Sequence, residues 1–448
     1  MHNPSLLAEC LYRLSWSPDR LAREINRVCG AGTISAKAPY NWLKGACPRH
    51  VLPRVVSDIL TERLGEPVPL HALWPDKFPA PPPGLDEYRK SDALAGPPPP
   101  GSARQRTPPS SITAADHDPV TMALDWLLNR DAPPTAQLRG EGIDAVLLDL
   151  ISERIAQFRR LDDDRGGRML LDWAAQDLRW TVRLVGACSY DQDTGVRLHR
   201  LVAELGQIVG WMAVDLGDET HGRLYLLQAL KSARSAGDRA LAAHIISCLS
   251  YQAAWHGRGE EALRLIQIAR QGTADQSPSP GQALLASRQA RAHACLGDLA
   301  GCERALDETA AIREAMGDAD GPAGEREPWA YWVTPAVLVG DAGRARLEAG
   351  RPAQAVRDLT HGLELFDESQ PRNRLLHHAS LAQARLSLGQ CDGAAQAAEA
   401  ALHLAVQVPS ARCHARLAEL RSLFQRHDAS RARRFVQLAD DVLGRSPG

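Results

Sequence analysis

The sequence predicts an all-α protein in three segments, and three observations support this prediction. Residues 1–78 contain short apolar clusters bounded by helix start and stop residues, residues 79–117 are rich in proline, and the remainder repeats an amphipathic helical pattern. Strand-like alternation is almost absent. With 448 residues and 44% hydrophobic content, the chain is long enough to bury more than one core.

The first segment, residues 1–78, is predicted to be a small helical bundle. Two stretches there, "DRLAREINRV" after Ser17-Pro18 and "LPRVVSDILTERLG" up to Gly65, have apolar residues at helical spacing. The residues predicted to face inward are Leu21, Ile25, Val28, Val55, Ile59 and Leu60.

Residues 79–111 contain ten prolines and few large aliphatic side chains. Such a stretch cannot bury enough apolar surface to offset the entropy lost on folding. We therefore predict a disordered, proline-rich linker over residues 79–117 that lets the flanking parts move independently.

The C-terminal part, residues 203–448, repeats a pattern built on glycines that end helices. Successive glycines of this kind are 40, 40, 53 and 39 residues apart: Gly217, Gly257, Gly297, Gly350 and Gly389. A small residue lies seven positions before each glycine and another lies five positions after it, which lets two antiparallel helices pack closely. The paired small residues are Gly210 and Gly222, Ser250 and Ala262, Ala290 and Cys302, Gly343 and Ala355, and Ala382 and Ala394.

This pattern resembles the tetratricopeptide repeat (TPR), which forms an α-solenoid of helix pairs. The resemblance covers about residues 203–410, and residues 118–202 are expected to be helical and to cap the array, as is a degenerate C-terminal stretch. It implies a concave groove that takes a peptide or protein effector. Carried onto this chain, the family's inward positions are Gln207, Trp211, His244, Ser247, Tyr251, Trp255, Arg291, Arg344, Glu348 and Gln383.

Within this predicted groove, the aromatic residues Trp211 and Tyr251 are followed by Arg291 and Arg344. Arginine binds carboxylates through paired hydrogen bonds, and aromatic rings give contact area at small entropic cost. This order suits a ligand with an apolar part and a carboxylate, such as a peptide end. For any one residue, ordinary packing between helices is an equally good interpretation.

Two other stretches bear on the groove. The 53-residue spacing leaves an insertion whose Trp329, Tyr331 and Trp332 either cover the groove or pack beneath the fourth repeat. The stretch "LDDDR", residues 161–165, is interpreted as a solvated helix end.

The N-terminal segment carries a local excess of positive charge. Between Pro18 and Arg54, seven Lys and Arg residues stand against two acidic residues, which points to a polyanion. The stretches "SAKAPYNWLKG" and "CPRHVLPRVVSDILTERLG" resemble the Cro/repressor-like (Xre-type) helix-turn-helix family, in which Trp-Leu-x-Gly ends the recognition helix. The resemblance spans about Leu6 to Leu73.

Pro39 departs from that family's pattern. A proline inside a helix costs about 3 kcal/mol, whereas at the first helical position it costs little. We therefore predict a recognition helix that begins at Pro39 after an extended lead-in over Ser35 to Ala38, with Trp42 and Leu43 in the core. The residues predicted to contact double-stranded DNA are Lys37, Tyr40, Asn41, Lys44, Arg49 and Arg54.

Together the three segments resemble a group of actinobacterial transcriptional regulators, some of which govern sporulation and antibiotic production. The resemblance implies a DNA-binding regulator of development or secondary metabolism. It also implies that the repeats bind an effector or mediate dimerisation, which makes a homodimer possible. The alternative is an interaction scaffold whose N-terminal bundle no longer binds DNA and only presents a basic, solvated face.

The sequence contains no motif that is typical of several other classes of protein. There is no Gly-x-x-x-x-Gly-Lys, Gly-x-Ser-x-Gly or His-Glu-x-x-His, so we expect neither an enzyme nor a cofactor. Nine scattered cysteines without Cys-x-x-Cys favour reduced thiols over a metal site. Because no long apolar run or signal-like start is present, we expect a cytoplasmic, nucleoid-associated protein without membrane contact.

Overall fold

The computed structural model describes residues 6–29, 33–48, 52–64, 68–75, 77–78, 118–129, 135–164, 166–316, 328–367, 370–427 and 429–444. The predicted linker over residues 79–117 lies outside these ranges. The chain divides into two compact units, Met1–Pro82 and Pro83–Gly448, which are described separately. The all-α prediction is confirmed, because helices make up nearly all of the regular structure in the described residues.

The N-terminal unit contains five described helices. They are α1 (Leu6–Arg13), α2 (Pro18–Cys29), α3 (Ala38–Leu43), α4 (Leu52–Leu64) and α5 (Leu70–Leu73).

Their apolar faces meet in one core around the Trp42 ring. The predicted inward residues Leu21, Ile25, Ile59 and Leu60 are buried there, whereas Val55 is half-buried and the side chain of Val28 is outside the described set.

The second unit is a succession of antiparallel helices. They are α6 (Pro119–Leu128), α7 (Ala145–Asp164), α8 (Arg168–Ala187), α9 (Gln192–Asp215), α10 (Glu219–Ser235), α11 (Arg239–Trp255), α12 (Gly259–Gly272), α13 (Pro280–Cys295), α14 (Leu299–Met316), α15 (Pro335–Glu348), α16 (Pro352–Leu365), α17 (Pro371–Ser387), α18 (Cys391–Ala405), α19 (Ala411–Phe424) and α20 (Ser430–Leu443). Two short parallel strands, β1 (Glu141–Gly142) and β2 (Cys188–Ser189), flank α7 and α8. The predicted boundary between residues 202 and 203 falls inside α9, so the first repeat helix begins at Gln192.

Each predicted glycine separates the two helices of one pair. Gly217 has φ +85°, and the four later repeat glycines have φ between +70° and +76°, a left-handed conformation that glycine adopts without steric cost. The next residue starts the second helix. The Asp218 carboxylate, for example, accepts a hydrogen bond from the His221 backbone N–H at the N-terminus of α10. Local sequence therefore fixes where each helix of a pair ends and where the next begins.

The paired small residues lie where the helices of a pair approach most closely. A Cβ on Gly222 would stand 2.5 Å from Val214 Cγ2 and 2.8 Å from the Gly210 carbonyl oxygen. In the next pair the Ser250 hydroxyl donates to the Ala262 carbonyl at 2.8 Å. Both observations confirm the predicted close packing. Among the described residues, no helix has the length and apolar content needed to cross a bilayer.

We expect Gly222→Ala to lower the free energy of unfolding by about 1 to 3 kcal/mol, because the added methyl group has no space between α9 and α10. Denaturant unfolding monitored by circular dichroism measures the change. Gly393→Ala is the matched control, since its Cβ meets only the flexible Arg385 side chain at 3.3 Å and alanine favours the helix. Equal stability of the two variants contradicts the proposed packing.

Candidate functional site

The predicted recognition helix forms, as α3, within one residue of its predicted start. Pro39 lies in its first turn, and Lys44 and Gly45 end it, with Gly45 at φ +96°. The predicted extended lead-in is wrong. The Ala38 backbone N–H donates to the Ser35 carbonyl at 3.0 Å, which closes a turn and leaves Lys37 in a helical conformation.

The side chains predicted to contact DNA are exposed on and beside α3. Lys37, Tyr40, Asn41 and Lys44 are all exposed, while Trp42 is buried. As to the others, Leu43 is half-buried as expected, Arg49 lies outside the described residues, and only the backbone of Arg54 is described. The four exposed side chains form a polar surface, and the buried Trp42 ring holds α3 in the core of the unit.

Two features tie α3 to α2. The Tyr40 hydroxyl donates to Asp19 Oδ2 at 2.8 Å. The Asn26 side chain accepts from the Ile34 backbone N–H at 2.9 Å and donates to the Ile34 carbonyl at 3.0 Å. However, α3 has only six residues. This unit therefore presents a short exposed helix.

The repeat unit contains a pocket of about 110 Å³ among the residues predicted to form the effector groove. Six predicted groove residues line it: Gln207, Trp211, His244, Ser247, Tyr251 and Arg344. The predicted convergence of α9, α11 and α15 on one site is therefore found.

Four predicted groove residues, Trp255, Arg291, Glu348 and Gln383, do not line the pocket, and all four are engaged with other protein groups. Arg291 donates two hydrogen bonds to Glu348 at 3.0 and 3.2 Å. Gln383 accepts from Arg416, and Trp255 packs beneath the Arg291 guanidinium at 5.5 Å. Arg291 thus lies outside the pocket lining and is paired with a protein carboxylate, so its predicted role in binding a ligand carboxylate stays a prediction.

Tyr251 lies at the centre of a cluster of arginines. Its hydroxyl accepts hydrogen bonds from Arg412 Nη1 at 2.8 Å and Arg344 Nη2 at 3.3 Å. The guanidinium carbons of Arg288 and Arg291 lie 4.2 and 4.7 Å from its ring centroid. Burial by itself raises the pKa of Tyr251, but the four positive charges outweigh it and lower the pKa to about 7.

Ion pairs connect the first helices of this unit with its last ones. The Asp215 carboxylate on α9 pairs with Arg412 of α19 at 2.9 Å and with Arg372 of α17 at 3.1 Å. Arg372 also pairs with Asp162 of α7 at 3.0 Å. Buried ion pairs therefore join helices that lie about 200 residues apart in the chain.

A second buried carboxylate, Asp341, supports the other side of Tyr251. It lies 3.1 Å from Arg344, 3.5 Å from Arg288 and 3.5 Å from the buried His377 ring. Burial raises the pKa of Asp341, but these partners, His377 foremost, together hold it well below its usual value. Asp341 therefore fixes both arginines in place against the tyrosine.

The insertion contributes the pocket's aromatic wall. Trp329 is buried and stacks on the His244 ring with centroids 4.0 Å apart, and Trp332 and Tyr331 also line the pocket. Of the two alternatives for these residues, the groove position is found, because all three line the pocket; Trp329 and Trp332 also pack on a core formed mostly by helices that precede the fourth repeat. Burial, with Arg159 and Arg288 nearby, lowers the pKa of His244 to about 3, so the ring is neutral.

Several pocket residues were missed in the sequence: Arg159, Asp162, Asp163, Arg288, Asp341, Arg372 and Arg412. Two of them, Arg288 and Asp341, could have been predicted from the sequence. Each lies three residues before a predicted groove arginine and therefore on the same helical face. The solvated-end interpretation of residues 161–165 is wrong for Asp162, which is largely buried against Arg372.

Asp163 also lines the pocket and accepts a hydrogen bond from the Tyr331 hydroxyl. Burial raises its pKa to about 6.

Comparison with known proteins concerns the N-terminal unit. Residues 7–73 match the family model described as the SP15 N-terminal domain, a range that coincides almost completely with α1–α5. No curated protein matches the chain. The family description names no ligand, so contact with DNA stays a prediction.

We expect one tyrosine of the folded protein to ionise near pH 7, visible as tyrosinate absorbance at 295 nm, and Tyr251→Phe to abolish this step. Because the pKa is below the ordinary value of 10, ionisation stabilises the fold at high pH and this contribution is lost as pH falls through about 7. The stability of wild type relative to Tyr251→Phe should therefore increase from about pH 6 to about pH 9. A difference independent of pH contradicts the assignment.

We expect Asp215→Asn to lower the free energy of unfolding by about 3 kcal/mol, because it leaves Arg372 and Arg412 buried with one negative charge fewer. Chemical denaturation measures the loss. Asp149→Asn is the control, since its partner Arg197 and the carboxylate are both well exposed and such pairs contribute little. Similar losses in the two variants refute the structural role given to Asp215.

Proposed function

We propose that this protein is a DNA-binding transcriptional regulator whose N-terminal unit grips double-stranded DNA and whose repeat unit binds an effector or mediates dimerisation. The observation that carries the proposal is the exposure of Lys37, Tyr40, Asn41 and Lys44 together on and beside α3. By resemblance, its targets belong to development or secondary metabolism. A regulator of this kind acts in the cytoplasm, at the nucleoid.

The chemistry of these side chains supports base and phosphate contacts. Asn41 presents an amide that can donate to and accept from an adenine edge in the major groove. Lys37 and Lys44 carry charges that neutralise phosphates and release counterions. The Tyr40–Asp19 hydrogen bond and the buried Trp42 fix the orientation of the helix that presents them. The side chains are thus held on a rigid element before DNA arrives.

The repeat unit supplies a means of control. Its pocket gathers residues from helices spread over more than half of the chain, so an occupant affects the packing of many helices at once. A peptide or protein partner, or a second copy of the chain, is the effector that the repeat resemblance implies. In a homodimer, two α3 helices can contact adjacent half-sites of an operator.

A second candidate function is an interaction scaffold whose N-terminal bundle binds protein. One observation favours it: α3 has only six residues. Salt separates the two functions. Binding through about six phosphates falls roughly a thousandfold between about 50 and 200 mM salt, whereas an apolar protein contact responds weakly.

We expect purified full-length protein to enrich specific genomic fragments, and Asn41→Ala/Lys44→Ala to weaken binding to an enriched fragment by about 100-fold. Fluorescence anisotropy with competitor DNA measures this. Tyr12→Ala/Arg13→Ala is the control, because it also removes one exposed positive charge, from α1. Absence of enrichment at low salt, or equal weakening by both double variants, overturns the proposal in favour of the scaffold.

A further inference from the structure

The pocket of the repeat unit differs from an open peptide groove. The Asp215 pairs with Arg372 and Arg412 connect the first repeat helix to the last helix pairs. Both arginines line the pocket, so these ion pairs stand where an extended peptide would need a continuous path along the first helices of the repeats. The pocket beside Tyr251 is a compartment of about 110 Å³, which fits one end of a ligand better than a long peptide.

The walls of this compartment carry more positive than negative charge. Five arginines line it: Arg159, Arg288, Arg344, Arg372 and Arg412. Only three aspartates do so: Asp162, Asp163 and Asp341. The acids that pair with Arg159 and Arg412 are Glu204 and Asp215, which lie behind the arginines and do not line the pocket. The excess concerns only the groups that face the pocket, and a lining of this kind attracts a counter-charge. The compartment therefore favours an anion.

The positive pole lies at the Tyr251 hydroxyl. Arg344 and Arg412 both point N–H groups at this oxygen, and Arg288 covers the ring face. Guanidinium groups arranged in this way match a carboxylate, which accepts parallel N–H donors. The lowered pKa of Tyr251 reports the same positive potential.

The rest of the wall suits a flat apolar group. Trp211, tilted against Tyr251 with ring centroids 5.6 Å apart, and Trp332 bring indole rings to the compartment, and Leu284 adds an aliphatic side. His244 is fully buried and neutral, and its Nδ1 has no hydrogen-bond partner among the residues that the structure describes. A buried polar atom without a partner is rare, and a polar substituent of a ligand can satisfy it.

We propose that this pocket binds an organic carboxylate carried on an aromatic ring, with the carboxylate between Arg344 and Arg412 and the ring beside Trp211. Two sources share this chemistry: a free aromatic acid and the C-terminal aromatic residue of a peptide. This assignment extends the proposed function by naming the chemistry of the effector. It rests on the proposed function only where the ligand is called an effector.

Binding is expected to be linked to proton uptake. An anion beside Tyr251 opposes the effect of the arginines and raises the pKa of the phenol, so tyrosinate takes up a proton as the ligand binds. The charged and titratable groups that pack around this end of the pocket are Asp215, His244, Cys248, Arg288, Arg291, Asp341, Arg344, Glu348, Arg372 and Arg412.

The test uses the full chain and three probes: phenylacetate, its neutral analogue phenylacetamide, and N-acetyl-glycyl-phenylalanine with a free carboxylate. Titration calorimetry and thermal unfolding measure binding, and absorbance at 295 nm at mildly alkaline pH measures Tyr251 ionisation. We expect at least one acid to raise Tm and to lower the tyrosinate absorbance, and the amide to do neither. Phenylacetate binding identifies a free acid as the source, and binding of the peptide acid alone identifies a peptide end.

Trp211→Ala is expected to weaken binding of the acid about tenfold, because it removes the ring's contact surface. Trp173→Ala is the matched control, since Trp173 is half-exposed on α8 and does not line the pocket. Equal affinities of the two variants, equal binding of acid and amide, or no change at 295 nm on saturation overturn the proposal. If Trp211→Ala does not fold, the absorbance change in the wild type decides alone. None of these readouts involves DNA, so failure of DNA binding leaves the test intact.

Discussion

The architecture of the repeat unit depends on one buried carboxylate. Asp215, at the end of α9, holds Arg372 and Arg412 from helices near the other end of the array. Guanidinium groups remain charged at any accessible pH, so each must find a negative partner when it is buried. By supplying that partner twice, Asp215 joins the first repeat to the last helix pairs and holds two of the arginines that line the pocket.

The same constraint explains the unusual state of Tyr251. Each arginine around it has a carboxylate, yet those carboxylates lie on the far sides of the guanidinium groups, as Asp215 and Asp341 show. The phenol is left in a positive potential strong enough to overcome the cost of burying its anion. A site with this property is prepared for a negative group, since the arrangement of its dipoles and charges is fixed before a ligand arrives.

The two units present surfaces of opposite physical kinds. The α3 surface is solvent-exposed and basic, so the proposed interaction with a polyanion is long-ranged and sensitive to salt. The charged groups around Tyr251 are buried, so interactions there are short-ranged and depend on fit and protonation. The proposed regulator needs both kinds of surface, because one would find the target and the other would report a chemical condition.

The sequence by itself determined what depends on neighbouring residues: the helix ends at glycines such as Gly217, the close contact of Gly210 with Gly222, and the helical faces that carry Trp211 and Tyr251. These follow from backbone sterics and helical periodicity, which act within a few residues. Only the tertiary structure decided that Asp215 meets Arg412, 197 residues later, and that Glu348 occupies Arg291. Such pairings depend on the rotation from each helix pair to the next, which accumulates along the array. A small change in this rotation moves distant side chains by many ångströms, and the local sequence does not specify it.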